Sequence, residues 1–325
     1  MPRTVMGYVF RFTGPHQVGL AALSIAVFLL SAVPLELQRR IVNDLIGKGS
    51  FVAVFWLAAG YAGVALTEQV LKLMLNVYRG WVAERSVREL RTTVYEGEKR
   101  AAVTVPSSLD TGVEIAMILE EAEPIGGFIG ISISEPLLQG GILFSVIGYM
   151  FFLEPWLALV GIAFFIPQMI FVPLLQHAIN VRARERILVK RGISGALADD
   201  GSSEAAPSQT GAIGQVFKLQ MGIYWRKYSM NLLMNLMYHL AVAVVLSFGG
   251  WLALQGRIEV GTVVAMVGGL AKLNDPWGDV VNWAREFSVV SVKYRLYAGA
   301  ANWLTGSQSA PDKAAPLGLA AVHTS

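Results

Sequence analysis

Six apolar runs, at about 18–37, 51–75, 128–153, 156–176, 231–254 and 260–281, constrain this chain more than any motif in it. Inside a bilayer no water can pair with the backbone, so runs of about 20 apolar residues read as crossing helices. Only 15% of the 325 residues are charged and 54% are hydrophobic. A soluble domain carries about a quarter charged residues. The mean hydropathy of +0.52 agrees. The class is therefore an all-α membrane protein with six long transmembrane helices. The third run is the weakest, interrupted by Ser132, Ser134, Glu135 and Pro136. The first follows Arg3 and Arg11, is long for a signal-peptide core and has no small-x-small cleavage site, so it reads as an uncleaved span.

The connections between runs are unequal. Those at 43–50, 153–155 and 255–259 are very short, whereas 76–127 and 177–230 are long and charged. The long ones carry Arg79, Arg85, Arg88, Arg91, Lys99 and Arg100, then a second basic group from Arg182 to Lys227. The short side has only Arg39, Arg40, Lys48 and Arg257. Basic residues mark the cytoplasmic side, so both termini and both long connections are expected there. Neither connection reads as a loop. Residues 77–103 continue the second span with helix formers, Arg85, Arg88 and Glu89 lie at helical spacing, and 180–197 extend the fourth span in the same way. The expected picture is long helices projecting into the cytoplasm, joined by hairpin tips near 106–112 and 199–219.

The stretch 256–304 is apolar in its first half and amphipathic in its second, with no loop residues between. It reads as one continuous helix of about 45 residues, roughly 70 Å long, which would cross the membrane and run on into water. On a helical wheel Gly261, Ala265, Gly268, Lys272, Asp275, Asp279, Trp283 and Glu286 share a face. Charge at membrane depth is costly unless it faces protein or water, which makes this face a pathway candidate. Other polar groups gather in the same half of the spans: Glu68, Gln69, Lys72 and Asn76 in the second, Glu135 and Gln139 in the third, Gln176 and His177 in the fourth, Asn235, Tyr238 and His239 in the fifth. The expected substrate pathway is Glu68, Lys72, Asn76, Asn235, Tyr238, His239, Lys272, Asp275, Asp279 and Trp283. The competing reading is internal pairing, since Glu68–Lys72 and Lys272 with Asp275 or Asp279 lie within helical reach.

Several chemistries have no residues to carry them. The chain has no cysteine, so disulfides and thiolate metal sites are excluded. No G-x-x-x-x-G-K-[ST] occurs; GKGS at 47–50 lacks the upstream glycine. His16, His177, His239 and His323 are scattered, and no H-E-x-x-H or nucleophile elbow exists. The chain alone is expected not to be an enzyme and to hold no cofactor. A net charge of +3 follows the membrane-side bias rather than a nucleic-acid surface.

Four stretches in order then carry a resemblance: PLELQRRIVNDLIGKG; RSVRELRTTVYEGEKR followed by DTGVEIAMILEEAEPIGGFIG; LEPWLALVGIAFF; and GRIEVGTVVAMVGGLAKLNDPWGDV running to SVKYRLYAGAANWL. The chain resembles the transmembrane domain of ABC exporters of the six-helix type, from about residue 15 to 304. That resemblance implies a six-helix domain over 1–305 and a polar, Ala-rich tail over 306–325, expected to be disordered. It implies a second transmembrane subunit, identical or not, and separate ATPase subunits that bring ATP and magnesium. It also implies a plasma (inner) membrane location. The first ATPase-coupling tip would be Ser107, Ser108, Leu109, Asp110, Thr111 and Gly112; the second would lie at Ala212, Ile213, Gly214, Gln215 and Lys218. Glu120 and Glu121 stand where the family commonly has an Asp, and the second tip is longer and richer in Ser, Gly and Pro than usual. Two other functions stand beside that of an exporter: an ion- or proton-coupled carrier or channel using Glu68, Asp275 and Asp279 as relay groups, and a non-transporting regulatory remnant of an exporter, to which the unusual second tip gives weight.

Overall fold

A computed structural model of the protein describes residues 1–47, 49–104, 121–198 and 206–304. Within these the chain forms α1 (Val5–Phe12), α2 (Gly14–Ser31), α3 (Val33–Ile46), α4 (Phe51–Thr104), α5 (Ala122–Ile131), α6 (Ser134–Leu153), α7 (Pro155–Ala163), α8 (Ile166–Ala198), α9 (Ala206–Leu254), α10 (Val260–Ala271) and α11 (Asn274–Leu304). The first coupling-tip residues, Ser107–Gly112, and the tail at 306–325 lie outside the described residues.

The described parts of the charged connections, 76–104, 121–127, 177–198 and 206–230, are helix. α4 runs 54 residues without interruption, about 80 Å, and α9 runs 49, about 70 Å. Each is more than twice the roughly 30 Å of hydrocarbon in a bilayer. Five stretches are long and apolar enough to cross a membrane: Gly14–Ile46, Phe51–Gly97, Ala122–Leu153, Pro155–Lys190 and Gly211–Leu254.

The sixth corrects the sequence reading. The single rod expected over 256–304 is two helices, parted by a turn at Lys272 and Leu273. Pro276 supplies the reason. It has no N–H to give the carbonyl of residue 272, and its ring clashes with that carbonyl in a regular helix. The Lys272 N–H closes back on the carbonyls of Gly268 (3.3 Å) and Gly269 (3.0 Å), and that of Leu273 on Leu270 (3.2 Å). The helix thus tightens to a 3₁₀ end. Pro136 acts alike: α5 and α6 part at Ser132–Ile133, three and four residues before it. The breaks at Ala32 and at Phe164–Phe165 lie two or three residues before Pro34 and Pro167. With only 12 residues α10 is about 18 Å long, so a sixth crossing has to recruit the first turns of α11, and their aspartates with them.

The described chain divides into two compact units. One is Met1–Leu37, Phe55–Ser145 and the chain from Asp279 onward; the other is Gln38–Val54 and Val146–Gly278. In the first unit α5 lies backbone to backbone on α4. A Cβ on Gly130 would sit 2.5 Å from the carbonyl oxygen of Arg79, and one on Gly126 would sit 2.9 Å from that of Ala83 and inside the Val87 side chain. Small residues four apart permit such approach between membrane helices, where lipid offers no hydrophobic drive. Further along, α1 docks on α11. The rings of Tyr8 and Tyr294 stand 5.9 Å apart edge to face. The Tyr294 hydroxyl donates to the Pro2 carbonyl (3.1 Å). Asn302 bonds both the amino terminus and the Met1 carbonyl. The two ends of the described chain therefore lie on the same side. Burial pushes the phenols of Tyr8, Tyr294 and Tyr297 above the ordinary tyrosine range, and for Tyr8 the nearby Glu89 carboxylate adds to the effect.

In the second unit α8 and α9 form a hairpin, with Arg182 packed on Gly222 and Arg186 donating to Gln220. α7, α9 and α10 share a core of Leu157, Val245, Val263 and Leu270. The turn after α9 uses Gly256 at φ +69°, with the Arg257 N–H closing on Leu252 (3.0 Å), an αL helix end that favours glycine. α3 then fixes the start of α10. Asn43 accepts from the Gly261 N–H (2.8 Å) and donates to Glu259 (2.5 Å), which also receives Arg39 (2.7 Å). A Cβ on Gly261 would strike the Arg39 carbonyl. At Gly261 the expected pathway face is thus a contact with α3.

Candidate functional site

The first unit buries a polar chain where α2, α4, α6 and α11 meet. Arg79 on α4 is 8% exposed. It begins one turn past the second apolar run, and an isolated cation buried there would be strongly unfavourable. Its Nη1 therefore pairs with Glu135 at 2.6 Å, and its Nε donates to the Ser134 hydroxyl at 2.8 Å. Both partners open α6, directly after the break that Pro136 imposes. Gln139, one turn on, donates from Nε2 to Glu135 (2.8 Å) and to Asp279 of α11 (2.9 Å). The Ser24 hydroxyl of α2 donates to the Ser134 carbonyl (3.2 Å).

The break itself is also held. Pro136 strips the Ser132 carbonyl of its helical donor, and the Trp283 indole N–H replaces it at 3.1 Å. Trp283 is stacked on Phe287 at 5.8 Å between centroids, and Phe128 leans on both rings. Two bonds, Gln139–Asp279 and Trp283–Ser132, thus tie α11 to the two sides of one helix break. Arg79 Nη2 is buried without a hydrogen-bond partner among the described residues. The arrangement is a latch of two hydrogen bonds between α11 and the α5–α6 break.

The expected pathway residues belong to both units. Asp279 and Trp283 join this cluster. Glu68 and Lys72 pair with each other on α4 at 2.7 Å, with Glu68 buried and Lys72 half-buried; Asn76, one turn on, is exposed. The remaining five belong to the second unit. On α9, Asn235 and His239 are exposed, and the half-buried Tyr238 has its ring 5.2 Å from that of His239. Tyr238 borders a narrow crevice with Gly161, Gln168, Leu273 and Asn274. Lys272 sits in the break, half-buried, and Asp275 is exposed. Ala212, Ile213, Gly214, Gln215 and Lys218 lie in the early turns of α9. Sequence reasoning missed Arg79 as a site residue, taking it for one of many side-marking arginines. A buried acid beside a proline was the available signal, because it demands a buried cation nearby.

The family model for the ABC transporter transmembrane region matches residues 18–192, from α2 through most of α8. The chain belongs to that family. No curated protein matches it. As an ABC transporter membrane domain of the all-α exporter type it is a multi-pass membrane protein, and its family generally works with a second membrane domain and with nucleotide-binding domains. Ser24, Arg79, Ser134, Glu135 and Gln139 lie inside the matched region; Asp279 and Trp283 lie beyond it.

Proposed function

We propose that the chain is the membrane-spanning subunit of an ATP-driven exporter, forming the substrate pathway with a second transmembrane subunit and coupling to separate ATPase subunits. The observation that carries this reading is the pair of uninterrupted helices of 54 and 49 residues. A carrier that only opens and closes within the bilayer has no use for rods that continue tens of ångströms beyond it. Rods that receive force from a soluble engine need that length. The basic residues along them favour a cytoplasmic side, with both termini there, in the inner membrane. These 325 residues contain no phosphate-binding loop, and in this reading ATP and magnesium are bound by the ATPase subunits. An amphipathic small molecule, a lipid or a peptide suits a pathway of mixed charge and aromatic groups.

Isolation of the full chain from its own membrane, followed by identification of co-purifying proteins, tests this. The expected result is a nucleotide-binding ATPase. Replacing Asp110, Thr111 and Gly112 together, or Gly214 and Gln215, is expected to leave ATP hydrolysis in place and abolish its stimulation by transport. Transport that persists without ATP and collapses with the proton gradient would overturn the reading in favour of a coupled carrier.

A further inference from the structure

The face of α4 beside α2 carries a group of side chains that the latch does not use. Leu73, Met74, Val77, Tyr78 and Trp81 line an open groove of about 470 Å³ with walls almost wholly apolar. Leu73, Met74 and Val77 are each at least half exposed. The groove starts inside the second apolar run and leads along α4 toward the charged end. There it meets a fixed cationic cluster. His16 of α2 bonds through Nδ1 to the Tyr78 hydroxyl at 3.0 Å and through Nε2 to Arg85 Nη1 at 3.0 Å. Arginine can only donate, so Nε2 is the accepting nitrogen and Nδ1 carries the proton toward Tyr78. The Arg85 guanidinium lies 5.3 Å from the Trp81 ring, and the His16 ring stands 5.0 Å from it. Gly19 leaves room for the Tyr78 ring, which a Cβ there would touch at 3.1 Å. Arg85 is exposed and, among the described residues, its recorded partners are His16 and Trp81 alone. Arg88, the next turn along, is exposed beside it.

We infer that this is a binding site for one anionic phospholipid, with the headgroup phosphate on Arg85 and an acyl chain in the groove from Trp81 to Leu73. The charges and the apolar walls argue for this occupant together. A planar guanidinium with spare donors, oriented by a histidine and an aromatic face, suits a phosphate. It stands where the apolar run gives way to charge, the depth of lipid headgroups, with tryptophan and tyrosine between as at membrane interfaces. A soluble phosphate would have no use for the groove, and a purely apolar partner none for Arg85. Glu84, exposed on the same stretch of helix, opposes the phosphate and limits its affinity. The inference needs only a membrane and does not depend on coupling to an ATPase.

The test uses the full chain, purified in detergent and delipidated, with its melting midpoint followed while dioleoyl-phosphatidylglycerol, dioleoyl-phosphatidylcholine or inorganic phosphate is added. Phosphatidylglycerol should raise the midpoint and remain bound in native mass spectrometry at one per chain, whereas the other two should do neither. Arg85→Gln should weaken the phosphatidylglycerol response about five-fold, the share of one basic contact at a membrane surface. Val77→Asn, which alters the groove and leaves the charges, should weaken it also; this exposed position keeps the test open if Arg85→Gln fails to fold. Glu84→Gln should strengthen it. Equal responses to the two lipids, an equal response to inorganic phosphate, or an unchanged response in both Arg85→Gln and Val77→Asn would overturn the site. So would lipid-independent disulfide cross-linking of a Trp81→Cys variant to a second copy, since that would place protein rather than lipid on this face.

Discussion

At the scale of single residues, the cost of Arg79 is what the rest of its cluster is arranged to offset. Its pair with Glu135 is largely removed from water, and removing one half of such a pair leaves the other charge buried alone. Arg79→Met should therefore destabilise the purified protein by about 3 kcal/mol or more, read as a lowered melting midpoint in detergent. Arg79→Met with Glu135→Met should recover most of that loss, because an apolar pair of similar volume needs no compensation. A double variant no better than the single one would mean that Gln139, Ser134 and Asp279, rather than Glu135, set the value of Arg79. Little of this cluster was legible beforehand. Glu135 and Gln139 stood out as polar groups at depth, and Asp279 as a charge near a proline. Arg79 lies 55 positions from Ser134 in the chain. No local spacing signals a bond across that interval. Helical pairing within one element, as for Glu68 and Lys72, could be read from the sequence because four residues make one turn.

At the scale of elements, the prolines decide where the rods stop being rods. Wheel geometry drew one helix through 256–304 because it counts side chains on a face and ignores the missing N–H at Pro276. The information was present in the residue; it was overruled by the apolar pattern on either side. Pro276→Ala restores a donor for the Lys272 carbonyl and removes the ring clash. Hydrogen exchange at Leu273 and Asn274 should slow as α10 and α11 join into one helix. Pro276 is buried, so loss of its ring also leaves a small void, and exchange is a cleaner readout than melting. Unchanged exchange would assign the break to packing instead. The docking of α1 on α11 has its own test in pH. Tyr8, Tyr294 and Tyr297 are held protonated above their ordinary range by burial. As pH climbs past about 10 the unfolded chain loses protons that the folded chain keeps, so stability falls there and is fully present below. Tyr297→Phe deletes a buried hydroxyl with no hydrogen-bond partner among the described residues. It should leave the midpoint near neutral pH unchanged or slightly raised and make the alkaline fall shallower.

At the scale of the whole molecule, the sequence was most informative, because length and charge act over many residues and no single position has to be right. The charged connections were readable as helix from their formers and spacing, and α4 over 76–104, α8 over 177–198 and α9 over 206–230 are uninterrupted. The division into two compact units was not readable, since it depends on which distant faces meet. If the rods carry force, their stiffness beyond the bilayer matters more than their sequence. Thr92 is exposed on α4, two turns beyond the arginine cluster, and makes a site where stiffness alone can be changed. A proline there removes one backbone bond and crowds the Arg88 carbonyl, at a local cost of about 3 kcal/mol, and kinks the helix. Thr92→Pro should leave the protein folded in the membrane and able to recruit its ATPase, yet lower transport per ATP hydrolysed by several-fold in reconstituted vesicles. Thr92→Ala, which favours helix and adds no kink, should transport as the parent does. Equal coupling in the two variants would mean that α4 beyond the bilayer is a spacer, and that force reaches the latch through α9 or not at all.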